Sequence, residues 1–137
     1  MGKLSGNGTM GYVEDLWLFV LRVAVGTSML THGIPKLQML FAGGELAFPD
    51  TLGIGVFWTL VLVVFAEVVC SGLLILGIWT RLSSIPLVIN MAVAFFVIHG
   101  PDPFGKKELA LFYLLVYLNL LVFGGGKFAL DRLFRRT

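Results

Sequence analysis

Four apolar segments alternate with short polar stretches along the chain, at residues 16–34, 56–79, 82–99 and 108–124. A helix needs about 20 apolar residues to cross the hydrocarbon of a bilayer, and the shorter segments reach that length by running a turn into their polar flanks. The pattern predicts an all-α polytopic membrane protein, an antiparallel four-transmembrane-helix bundle forming one domain over residues 1–137. Between the second and third segments Thr80-Arg81-Leu82-Ser83-Ser84 leaves room only for a tight turn, so those helices must be antiparallel neighbours. The connection from about Gly33 to Gly55 is longer and carries Pro35, Gly43, Gly44 and Pro49. Bare backbone cannot face lipid, so this stretch is expected to be interfacial, partly helical or folded over the bundle as a lid.

Composition identifies the solvent. Hydrophobic residues make up 58% of the chain and charged residues 13%, against roughly 45–50% and about 25% in soluble domains. There are too few charges to cover a water-facing surface, and lipid is the expected partner. The net charge of +2, with no basic helix or aromatic-basic stripe, argues against nucleic acid. Outside the spans, Lys3, Arg81, Lys127, Arg132, Arg135 and Arg136 fall on one side, and Lys36, Lys106 and Lys107 on the other. By the positive-inside rule both termini are expected in the cytoplasm. Trp17 and Trp79 then lie at the inner interface and Trp58 near the outer one. The first apolar segment contains Arg22 and has no small-residue cleavage signal after it, so it reads as a retained helix. A single cysteine, Cys70, excludes an intrachain disulfide, a CxxC pair and an all-cysteine metal or iron-sulfur site. It is expected to be an inert buried thiol.

Two ionisable residues fall inside the apolar segments, where a charge costs at least about 2.5–3.5 kcal/mol. At about 1.5 Å of rise per residue, Glu67 lies mid-span in the second segment, and Arg22 is close enough in the first for a bidentate pair. Asn90 and Asn119 fall at similar depth in the third and fourth. Arg22, Glu67, Asn90 and Asn119 are therefore expected to form one structural polar network that fixes helix register. A proton relay is the less favoured reading, because an arginine neighbour opposes proton uptake by a carboxylate. A second group gathers at the external end: His32 and Lys36, four residues apart, then His99, Asp102 and Glu108. These residues either mark the water interface or form a ligand site, and imidazoles suit a quinone carbonyl, a metal or a haem in that order. Gly26 and Gly33 are expected to admit a closely packed helix. Gly124-Gly125-Gly126-Lys127 lacks the earlier glycine, the following Ser or Thr and the strand of a phosphate loop, and reads as a helix terminus.

Taken together, Arg22, Gly26, His32-Gly33 and Lys36, then Phe65-Ala66-Glu67, Gly72, Gly77 and Thr80-Arg81, then Asn90-Met91-Ala92-Val93-Ala94, and the ending Gly124-Gly125-Gly126-Lys127-Phe128-Ala129-Leu130-Asp131 resemble the DoxX family of bacterial membrane proteins. Ala129 stands where a serine is common in that family. The resemblance implies a four-helix bundle in the bacterial cytoplasmic membrane. The family takes its name from a subunit of a thiosulfate:quinone oxidoreductase, and other members are associated with quinone or oxidative stress responses. Related proteins acting through paired thiols are no guide, since Cys70 has no partner.

Three functions from different classes follow. The first is a membrane subunit of a quinone-linked redox system, with His32, Lys36, His99 and Glu108 as the ligand site, no metal, and a separate redox subunit supplying electrons. The second is a non-catalytic scaffold or anchor for a partner protein, with a homodimer formed through small-residue faces. The third is a small-solute or lipid transporter.

Overall fold

A computed structural model describes residues 8–131, with side chains from residue 11 onward. Lys3, Arg132, Arg135 and Arg136, which weigh in the topology argument, lie outside the described residues. The described chain is helical, with α1 at Gly8–Ala42, α2 at Val56–Leu76, α3 at Thr80–Ile98 and α4 at Phe104–Phe123. On length and apolar composition α2 and α3 can each cross a membrane, with mean hydropathies of 2.6 and 1.9.

Packing runs inside-out relative to a soluble domain. Phe57, Leu62, Phe65, Val69, Ile89, Phe96, Phe112 and Leu115 point outward, a far larger apolar surface than soluble monomers expose. Arg22, Thr59, Glu67, Ser71, Thr80 and Ser84 are buried instead. The apolar core between them is made by Val25, Met29, Cys70, Leu74, Leu87, Met91, Tyr117 and Leu120. Cys70 is a free thiol packed in this core.

Glycines set the spacing of α1 and α2. A Cβ at Gly26 would lie 3.0 Å from the Ser71 carbonyl oxygen, and one at Gly33 would lie 2.9 Å from Glu67 Cβ and from Val68 Cγ2. These are the close approaches expected at both glycines, and their order shows that the two helices are antiparallel. Helix α1 does not stop at Gly33. It continues through Pro35, despite the lost helical hydrogen bond and the ring's crowding of the preceding turn, as far as Ala42. The irregular connection is therefore residues 43–55, shorter than the sequence predicts.

The turn between α2 and α3 is also displaced, to residues 77–79, with Thr80–Ser84 already helical. Gly77 takes φ 74°, its N–H bonds the Leu74 carbonyl at 3.1 Å, and the Ile78 N–H bonds the Leu73 carbonyl at 2.9 Å. This is the Schellman arrangement, which relies on glycine. Trp79 follows at φ 48°, unusual for a bulky residue. It is held there by the Asp131 carboxylate, which accepts from the backbone N–H groups of Trp79 and Thr80 and so caps α3. The Gly-rich stretch thus ends α4 and returns as a tail across the α2–α3 turn.

Arg22 ties this end together, and here the sequence expectation needs correction. Its guanidinium does not meet Glu67. Nη1 donates to the Leu74 carbonyl at 3.0 Å and the Ile75 carbonyl at 3.3 Å, and Nη2 donates to the Phe128 carbonyl at 2.9 Å. A cation suits the electronegative C-terminus of a helix, and a planar fork can serve carbonyls from two segments at once. Arg22→Met is expected to lower stability by about 2–4 kcal/mol by stranding buried carbonyls. Arg22→Lys should recover less than half of the loss; thermal unfolding in one detergent compares the three proteins.

At the opposite end Asp50 anchors residues 43–55 to α2. Its carboxylate accepts from the Gly55 N–H at 3.0 Å and from the buried Thr59 hydroxyl at 2.8 Å. The Thr59 bond, helped by backbone amides including Gly55, holds the Asp50 carboxyl below its usual value, against a smaller opposing effect of burial. A depressed folded-state value stabilises above the unfolded value of about 3.9 and is lost as pH falls through the folded one. Protection of the Gly55–Thr59 amides relative to their intrinsic exchange is therefore expected to fall selectively below about pH 4. Asp50→Ala should show that loss of protection already at neutral pH.

Candidate functional site

Glu67 finds its cation on the neighbouring helix. Gly33 brings α1 against α2 at Glu67, and Lys36, one turn further on, lies beside the carboxylate. Lys36 Nζ is 2.8 Å from both Oε1 and Oε2, and Asn90 Nδ2 on α3 donates to Oε1 at 3.0 Å. The Glu67 side chain is 3% exposed and that of Lys36 29%, so the carboxylate is enclosed while the ammonium faces an opening. Glu67 stands in a π-helical stretch, Phe65–Cys70, and a second one, Ala94–Ile98, closes α3. Such wide turns shift side chains out of the ordinary helical register and recur at functional sites.

The opening is a cavity of about 350 Å³ with the Lys36–Glu67–Asn90 group at its base. Met29, Val63, Met91, Ala94 and Ile98 make apolar walls, and Phe48, Pro49 and Thr51 of the 43–55 connection contribute to its wall. The connection expected as a lid therefore borders the site, with Lys36 Nζ 6.0 Å from the Phe48 ring centre. His32 also lines the cavity, edge-on to Tyr113 at 5.8 Å between ring centres, and Tyr113 stacks on Tyr117 at 6.0 Å. His99 completes this rim. Its Nδ1 is 2.8 Å from Asp102 Oδ2, which places the proton of a neutral ring on Nδ1 and leaves Nε2 as an acceptor.

Of the predicted ligand residues, His32, Lys36 and His99 line one cavity, whereas Glu108 is exposed on α4 and forms no part of its wall. Lys106 is the charged residue that α4 contributes instead. The expected four-residue network is divided. Glu67 and Asn90 bond each other, Arg22 belongs to the opposite end, and Asn119, half-buried on α4, is not among the partners found for Glu67. Two groups that the sequence keeps separate are thereby joined, because Lys36 of the external cluster neutralises the mid-helix carboxylate. Sequence reasoning missed Tyr113, for which the available signal was its spacing of four from Tyr117 in an apolar segment. Among the described residues no three His, Cys, Asp or Glu side chains converge as a metal site.

The arrangement can hold a small, flat, mostly apolar molecule bearing a carbonyl oxygen. Two of the three Lys36 N–H donors serve Glu67, and the third is available to a guest. At the rim the His32 imidazole can donate or accept, and His99 Nε2 can accept.

Comparison with known proteins agrees on one family. Residues 17–100 match the DoxX family model, a stretch that holds His32, Lys36, Glu67, Asn90 and His99. A Haemophilus influenzae protein is 33% identical over 130 residues, covering 86% of this chain and 90% of its own. A second from the same organism is 28% identical over 144 residues, covering 98% and 91%. Both are named only as uncharacterized proteins. No solved structure matches. The inside-out packing and the match over more than half of the chain lead to one conclusion: this is an integral membrane protein of the DoxX family.

Proposed function

We propose that the chain is the membrane subunit of a quinone-linked redox system, binding a quinone in the cavity above Lys36, Glu67 and Asn90. The observation that carries this reading is the bonded ion pair at the base of an otherwise apolar cavity. A buried pair is seldom worth more to stability than apolar residues of equal volume. Here the Lys36 side chain keeps 29% exposure toward the opening, which suits it to a guest. The cavity, about 350 Å³, lies at the small end of the roughly 300–1,000 Å³ usual for ligand pockets. That volume suits a single-ring head rather than a haem.

In this reading the third N–H of Lys36 donates to one quinone carbonyl, where it opposes the negative charge that develops on reduction. The His32 imidazole at the rim donates to the other oxygen. Reduction to quinol takes up two electrons and two protons. The protons come from water by way of the rim, and the electrons come from a partner subunit. All four helices span the bilayer in the bacterial cytoplasmic membrane with both termini cytoplasmic, which places the cavity toward the external face.

Replacing Lys36 or Glu67 alone would strand a buried charge and confuse folding with binding. The informative variant is Lys36→Met with Glu67→Met, which removes both charges at similar volume. It should unfold near the wild-type temperature yet bind a short-chain benzoquinone at least about tenfold more weakly, by titration in detergent. His32→Ala is expected to weaken binding less, from the rim. Unchanged affinity in the folded double variant excludes this site, and a wild-type protein that neither retains nor takes up quinone while co-purifying with a protein partner favours the scaffold function.

A further inference from the structure

A second depression adjoins the cavity on its lipid side. Residues Leu21, Ala24, Ser28, Leu109, Phe112 and Val116 border a groove of about 300 Å³ that follows the seam between α1 and α4. The seam is the more thinly packed contact of α1, which lies chiefly on α2. Ala24 and Ser28 keep it open, being small and outward-facing on one side of α1 at a spacing of four. Leu109 and Tyr113 belong to the walls of both groove and cavity. Tyr113 therefore stands as a partition, its ring edge-on to His32 on the cavity side and its flank in the groove.

From this continuity we infer that the ligand enters sideways from the bilayer, between α1 and α4, and keeps its long prenyl or alkyl tail in the groove while its polar head occupies the cavity. The inference rests on the quinone reading of the cavity and adds the class of ligand to it: a lipid-soluble, long-tailed molecule rather than a water-soluble ring. The geometry is suited to such a guest. A polar head buried at the depth of Glu67 would leave a tail with no place inside the bundle, where Met29, Met91 and Tyr117 already fill the core. The seam offers the tail an apolar path that reaches lipid without breaking any backbone hydrogen bond of α1 or α4. Tyr113 acts as a positioning residue, separating the two parts of the guest.

The test compares two probes in one detergent, a decyl-tailed benzoquinone and the same ring without the tail, on the wild type and on Ala24→Phe. Ala24 is exposed on α1, so the fold should tolerate the change, and Ala24→Leu serves if the protein with the larger side chain does not fold; Ser28 stays in place because its hydroxyl bonds Tyr113 of the cavity wall. Partitioning of the tail into detergent acts equally on both proteins, so the ratio of their affinities isolates the groove. The filled groove is expected to weaken the tailed probe about tenfold and the tailless ring less than about twofold. If both probes bind the wild type and neither is affected, the tail runs elsewhere and the groove assignment is overturned while the cavity stands. If neither probe binds the wild type, the proposed function fails and this inference with it. A photoreactive group at the tip of the tail gives an independent readout: labelling within residues 21–28 or 109–116 supports the groove, and labelling confined to other segments overturns it.

Discussion

A carboxylate enclosed among apolar helices has to be paired, and the choice of Lys36 as the partner of Glu67 governs the rest of the site. The bond draws the far end of α1 onto α2 and requires α1 to remain helical well beyond Gly33, through Pro35, so that Lys36 lies one turn past the glycine contact. It recruits α3 through Asn90. The chain is thereby committed to a polar group in a region otherwise walled mostly by apolar side chains, with His32 and His99 added at the rim, and that contrast gives the cavity its character.

The other internal charge is satisfied in a different way, and the difference gives the molecule its polarity. Arg22 spends its donors on the last carbonyls of α2 and on Phe128 of the returning tail, all fixed backbone groups. Asp131 seals the same end by capping α3. That end is stitched by long-range bonds that leave the guanidinium little freedom. At the opposite end the ammonium of Lys36 bonds a side chain, and the wall is completed by the 43–55 connection, held to α2 by Asp50. The Arg22 end is closed by bonds to backbone groups, whereas the Lys36 end borders the cavity.

Much of this was legible in the sequence, for identifiable reasons. The apolar segments follow from composition and length. The helix approaches at Gly26 and Gly33 follow from the absence of side chains there, and the importance of Arg22 and Glu67 follows from the cost of charge in lipid. Their pairing was misread because depth along a straight helix cannot distinguish two cations that both reach toward one carboxylate. Two local facts decided the matter. Pro35 suggests the end of a helix, yet α1 continues and carries Lys36 inward, and the π-helical stretch at Phe65–Cys70 turns Glu67 in a way that no residue pattern announces. Glu108 was grouped with the histidines on proximity to the same end, but helical register directs it outward, and Tyr113 takes the inward place on α4.

The site also bears on why a redox role for this chain requires company. The cavity provides hydrogen-bond donors, an acceptor imidazole and an apolar enclosure, which together can bind a quinone and help move protons. Nothing in its wall carries an electron: the described chain offers no cysteine pair, and Cys70 lies in the core rather than on the cavity surface. A tyrosine pair such as Tyr113 and Tyr117 can order a ring by stacking, but this does not supply two electrons. In the proposed division of labour the membrane subunit would hold the lipid-soluble acceptor, and a partner subunit would supply the electrons. On the proposed reading, a head held at the level of Glu67 would lie between the rim, where His32 and His99 stand, and the α1–α4 seam, with Tyr113 in the walls of both depressions.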